Sequence, residues 1–179
     1  DDSLIGAHLM TAEDDLLLLS RRGMAIRFHA DDTALRPMGR DTRGVVGMRF
    51  RPDDALLASN VVPADLDEDE TFVITVTDAG FAKRTPVADY RGQNRAGLGL
   101  KAARLTRERG GLVGALAVSE ADEVLAIRAS GSVTRSPVAD VRPTGRDTMG
   151  VTFVDVPSED AVVAIARVVD EDIDTTDDT

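Results

Sequence analysis

Apolar and polar positions alternate with a period of two over short runs, and turn-forming residues break the runs about every eight to twelve residues. The pattern predicts strands over Leu4–Met10, Leu16–Ser20, Met24–His29, Leu56–Val62, Thr71–Thr77, Phe81–Thr85, Leu100–Thr106, Leu112–Val118, Val124–Arg128, Ser132–Ser136, Thr152–Val156 and Ala161–Val169. Val45–Phe50 alternates more loosely. Lys101–Arg109 also reads as a helical turn, because its residues propagate helices well. The sum is an all-β chain.

The strands come in a repeating order. Gly39-Arg-Asp-Thr-Arg-Gly-Val45 recurs as Gly92-Gln-Asn-Arg-Ala-Gly-Leu98 after 53 residues and as Gly145-Arg-Asp-Thr-Met-Gly-Val151 after another 53. Ahead of each copy lies a hairpin: an apolar run, a glycine turn at Gly23, Gly80 or Gly131, and a basic residue four places on, Arg27, Arg84 or Arg135. Those glycines are 57 and 51 residues apart, so length changes fall in loops. Four-stranded antiparallel units recurring every 40 to 55 residues or so mark a β-propeller or a related radial array, in which each unit buries its apolar face on a neighbour. About three blades are expected, roughly 1–55, 56–111 and 112–169. The core must be aliphatic, since the chain has five Phe, one Tyr and no Trp.

Charge changes the picture. The net charge of −11 argues against a polyanionic partner. Its distribution weakens the objection: residues 151–179 hold nine acids against one Arg, and 170–179, with six acids, read as a disordered acidic tail. Between Arg21 and Arg109 there are sixteen basic and thirteen acidic residues, five of those acids in the loop Asp65–Glu70. The chain starts at Asp1-Asp2 instead of Met and reads as a piece of a longer protein. No run approaches the roughly 18 apolar residues a membrane helix needs, so it reads as soluble and intracellular.

Candidate chemistry is sparse. Without cysteine there is no disulfide, thiolate zinc site or cysteine nucleophile. His8 and His29 read as ordinary strand or loop residues, and the carboxylates Asp53, Asp54, Glu159 and Asp160 sit where turns use Asp for local hydrogen bonds. The Asp65–Glu70 loop lacks the ligand alternation and central Gly of a calcium loop. No catalytic residue and no metal site is expected. What recurs is positive charge: Arg27, Lys83, Arg84 and Arg135 in the hairpins, and Arg40, Arg43, Arg91, Arg95, Lys101 and Arg146 in and around the glycine motifs. In a radial array, equivalent positions would form a curved stripe able to hold DNA phosphates.

These motifs, together with Ser20-Arg-Arg-Gly-Met-Ala-Ile-Arg-Phe28 and Asp78-Ala-Gly-Phe-Ala-Lys-Arg-Thr85, resemble the blade repeats of the C-terminal domain of the DNA gyrase A subunit over nearly all of residues 1–169. The resemblance implies the last three blades of a six-bladed β-pinwheel, a propeller variant with strand exchange between blades, which wraps double-stranded DNA to support ATP-dependent negative supercoiling. It implies no cofactor in this fragment, with ATP and Mg2+ used elsewhere in an A2B2 holoenzyme formed with the rest of the gyrase A subunit and the gyrase B subunit. It implies a bacterial cytoplasmic, nucleoid-associated setting. Gln93-Asn94-Arg95-Ala96-Gly97-Leu98-Gly99 resembles the family's Gln-Arg-Arg-Gly-Gly-Lys-Gly box at Gln93, Arg95, Gly97 and Gly99, and departs from it at Asn94, Ala96 and Leu98. The rival resemblance is to the C-terminal domain of the topoisomerase IV A subunit, and the rival class is a protein-interaction propeller without nucleic acid.

Overall fold

The computed structural model describes residues 3–168; the expected acidic tail lies outside them. Among the described residues there are eleven strands: β1 Asp15–Ser20, β2 Met24–His29, β3 Leu56–Val62, β4 Thr71–Thr77, β5 Phe81–Pro86, β6 Leu100–Lys101, β7 Leu112–Ser119, β8 Glu123–Arg128, β9 Val133–Pro137, β10 Val151–Thr152 and β11 Val162–Arg167. Two single 3-10 turns, Val87–Asp89 and Val138–Asp140, follow β5 and β9.

The strands make three antiparallel sheets, ordered β3-β1-β2-β6, β10-β5-β4-β7 and β11-β8-β9. Each is built on a hairpin whose glycine turn has positive φ, as at Gly23, Gly80 and Gly131. Neighbouring modules exchange strands. The outermost strand of the first sheet, β6, comes from the second module and pairs with β2; that of the second sheet, β10, comes from the third and pairs with β5.

Apolar packing between sheets supplies the core. Leu17, Leu19 and Ala25 of the first sheet meet Val73, Val87 and Tyr90 of the second. On the other face of the second sheet, Phe72, Ile74 and Val76 meet Val124, Ala126 and Val162 of the third. Leu18, Ile26, Phe28 and Met48 form a smaller cluster on the far face of the first sheet. β7 touches both β3 and β11, with Asn60 of β3 accepting the Ala117 N–H at 3.1 Å. The inner row is therefore β3, β7 and β11, and the opposite end of each sheet faces the outside.

Four expectations change. Leu4–Met10 forms no strand: it lies against β3, where His8 Nε2 meets Ser59 Oγ at 2.8 Å, without a backbone ladder among the described residues. Lys101–Arg109 is not a helix, and the strand expected over Leu100–Thr106 is only Leu100–Lys101. The strand expected at Thr152–Val156 is Val151–Thr152. Both exchanged strands stop after two residues because the next segment turns in at the hairpin glycine, where Ala102 and Val154 donate to the carbonyls of Gly23 and Gly80.

Candidate nucleic-acid interface

The second and third glycine motifs end on the outer rim because they lead into the exchanged outer strands β6 and β10, and the first is followed by residues 45–50, which bridge to the second motif at Met48 and Gly97. In the first and third modules the motif is a tight turn closed by its own threonine: Thr42 Oγ1 donates to Gly39 O at 2.8 Å and Thr148 Oγ1 to Gly145 O at 2.9 Å. The turn leaves Arg40 and Arg43 exposed and Arg146 half-buried. The second module replaces this turn with the box-like segment. There Ala96 adopts a left-handed φ of 63°, at the place where the resembling box has glycine. Two extra residues intervene before the exchanged strand. Gly99 rather than Gly97 therefore matches Gly150: a Cβ on Gly99 would lie 2.2 Å from Ala25 O and one on Gly150 2.4 Å from Ala82 O.

The motif segments join end to end along the rim. Arg49 N donates to Gly97 O at 2.8 Å, Ala96 N to Gly47 O at 2.7 Å and Arg95 Nη1 to Val46 O at 3.0 Å, linking the first and second modules. Arg104 N donates to Thr148 O at 2.9 Å and Arg146 Nη1 to Lys101 O at 2.9 Å, linking the second and third. Arg104 pairs with Asp147 at 3.3 Å, which holds the Asp147 carboxyl below the usual carboxylate range. Lys101 reaches the same carboxylate at 3.9 Å. Arg40, Arg43 and Arg91 are exposed and make no ion pair among the described residues.

The hairpin cations lie elsewhere than the sequence pattern suggests. Arg27 is turned between the first two sheets, where it donates to Asp15 at 2.6 Å and Glu68 at 2.5 Å. Those carboxylates raise its pKa further above the ordinary value. Arg84 is 2% exposed, lies over the Phe72 ring at 4.5 Å and approaches Glu120 at 3.7 Å. Lys83 is 3% exposed and bonded to backbone carbonyls. Arg135 stays on the outer face of the third sheet, paired with Glu123. The reason is stacking: this hairpin position faces the next sheet, and only the third sheet has none on it among the described residues. The acidic loop Asp65–Glu70 supplies Glu68 to that contact, while Asp67 receives the Asp69 N–H at 3.0 Å.

Two rim cations are not singled out by the sequence pattern. Arg142 precedes Pro143, which bridges Arg84, just as Arg91 precedes Gly92, which bridges Arg27. The 51-residue offset from Arg84 to Arg135 also joins Arg91 to Arg142 and would have found it. Arg104, paired with Asp147, falls on Arg51 at the 53-residue offset, but the third module has Pro157 there, so no third copy marks it.

The sequence matches the family described as DNA gyrase C-terminal domain, beta-propeller, over residues 14–63, 71–119 and 122–168, one match to each sheet's hairpin module. It is 59% identical over 167 residues to the DNA gyrase A subunit of Streptomyces coelicolor, covering 93% of this chain and 19% of that protein. With the corresponding protein of Nocardioides sp. it shares 45% over 208 residues, 99% of this chain and 23% of that protein. With that of Mycolicibacterium smegmatis it shares 48% over 171 residues, 96% and 20% respectively. The chain thus spans about a fifth of the length of these curated relatives. A solved DNA gyrase A C-terminal domain superposes with a TM-score of 0.76 at 24% identity, covering 87% of this chain and 51% of that one. A C-terminal domain of DNA topoisomerase IV superposes at 0.79 with 20% identity, covering 90% and 48%. These two show the fold.

Proposed function

The chain belongs to the DNA gyrase C-terminal β-propeller family, and from that premise we propose that it is the DNA-wrapping module of a gyrase A polypeptide, supporting ATP-dependent negative supercoiling. The observation that carries this reading is the position of the motif cations. Arg40 and Arg43, Arg91 and Arg95, and Arg142 and Arg146 come from three successive modules and sit on segments hydrogen-bonded into one outer belt. A belt of guanidinium groups without a base-reading pocket suits phosphates, to which Arg can donate bidentately. Bending tens of base pairs costs several kcal/mol, so many modest contacts must offset it. In this reading the fragment itself is non-catalytic and holds no cofactor. ATP and Mg2+ act elsewhere in an A2B2 enzyme in the bacterial cytoplasm, at the nucleoid.

Titration of a fluorescent duplex with the full-length protein at several salt concentrations tests it. The expected plot of log K against log salt is steep, close to −0.9 per phosphate neutralised. Reversing Arg40, Arg43, Arg91 and Arg95 to Glu should flatten that slope by about three to four. A flat response in the unaltered protein contradicts the reading. The second reading, a domain of the topoisomerase IV A polypeptide, is favoured by the departures of Asn94, Ala96 and Leu98 from the gyrase box. Supercoiling of relaxed plasmid by the reconstituted enzyme separates the two, and gyrase predicts negative supercoils.

A further inference from the structure

The geometry points to Lys83 as a positioning residue for the DNA track: its buried ammonium holds the third module's motif, and with it Arg146, against the second module's exchanged segment. The inference rests on the wrapping function proposed above. At 3% exposure, Lys83 cannot itself meet a phosphate. Its Nζ instead donates to Ala102 O at 2.7 Å, to Gly145 O at 2.9 Å and to Arg146 O. Ala102 directly follows β6, the outer strand of the first sheet, whereas Gly145 and Arg146 open the third motif. One side chain of the second sheet thus ties together rim segments of two modules. An ammonium has three donors and no acceptor, and here three carbonyls converge on it.

The fold does not require an amine at this position. Three places after the hairpin glycine, the first and third modules have Ile26 and Thr134. Lys83 is particular to the module that carries the box-like segment. The charged groups facing it are Arg146 and Asp147 from the third motif and Asp89 from the 3-10 turn, with Tyr90 buried on the same face. Burial pushes the Lys83 ammonium down to about 8, Arg146 acts in the same direction, and Asp147 and Asp89 oppose it. Burial pushes Tyr90 up to about 12 and the chain has no cysteine, which leaves Lys83 and His29, the latter raised above its ordinary value by its hydrogen bond to Asp15, as the described side chains that bear on a pH series from about 7 to 9. The neutral amine keeps two donors for three carbonyls and loses its charge.

The test measures duplex binding by the full-length protein over a salt series, for the unaltered protein, Lys83→Met, Arg146→Ala and the double variant. Lys83→Met should lower the salt slope by about one, as losing a phosphate contact does, although Nζ is buried. Arg146→Ala should do the same, and the double variant should lose no more than either alone. With His29→Gln as the shared background, the parent should lose the same slope from pH 7 to 9, and Lys83→Met should show no pH response there. An unchanged slope in Lys83→Met, additive losses, or a pH-independent His29→Gln parent overturns the inference. Should Lys83→Met not fold, the pH series on the His29→Gln protein decides alone. Absence of binding by the unaltered protein at pH 7 overturns the wrapping reading, and this inference with it.

Discussion

Arg27 and Glu68 show what a recurring charge does when its face is covered. Arg27 is held by Asp15 and Glu68, and Asp15 also meets His29 Nδ1 at 3.0 Å. In the next module, Arg84 approaches Glu120, which lies 52 residues after Glu68. Each pair crosses from one sheet to the next, so these side chains fix sheet against sheet. The consequence appears in pH dependence. The Arg27 guanidinium holds Glu68 below the usual carboxylate range, the Thr11 backbone N–H does so for Asp14, and Ser130 does so for Asp160. Carboxyls depressed in the fold contribute stability above their ordinary pKa and lose it as pH falls through the lower folded value. His29, raised by Asp15, contributes in the opposite sense: its share is full below its ordinary value and lost as pH rises through the folded one. Urea unfolding should therefore show stability declining below about pH 4.5, and Glu68→Gln should flatten that acid limb. The same variant should cost no more than about 1 kcal/mol at pH 7, because the Glu68 side chain is 41% exposed.

At the scale of elements, the exchanged strands join the sheets into one array, and glycine permits the approach. Gly150 has a φ of +79° and its missing Cβ would collide with Ala82 O. Gly131 has a φ of +86° with nothing within 4 Å. Gly131→Ala should cost about 1 kcal/mol from backbone strain alone, and Gly150→Ala about 2 kcal/mol more by displacing β10 from β5, as read by the urea midpoint. Equal costs would mean that β10 contributes little. The hairpins were legible in the sequence because Leu16–Ser20 and Phe72–Val76 carry their apolar pattern locally and Gly23 and Gly80 mark their turns. β6 and β10 showed only as the longer strands over Leu100–Thr106 and Thr152–Val156, since each is two residues long and is set by a partner in another module. The basic motif loops were legible as recurring positions. The burial of Arg27, Lys83 and Arg84 was not, because a cation on a strand reads as solvated until the sheet that covers it is known.

For the whole molecule, a chain of net charge −11 carries its motif cations on hydrogen-bonded segments at the outer ends of stacked sheets. The acids are spent differently. Asp15, Glu68 and Asp147 pair with cations, Asp67 and Asp160 cap loops, and six others lie in 170–179. Net charge therefore says little about the rim, where local charge sets the field a duplex meets. The central claim is that the three modules offer one continuous outer line of contact. Arginine-selective chemical footprinting of the full-length protein, with peptide mass spectrometry and with or without duplex DNA, tests it most directly. DNA is predicted to protect Arg40, Arg43, Arg91, Arg95, Arg142 and Arg146 together, while Arg128 and Arg167, paired with Asp160 and Asp122, keep the same reactivity. Protection confined to one module, or equal reactivity of the rim arginines with and without DNA, would contradict it.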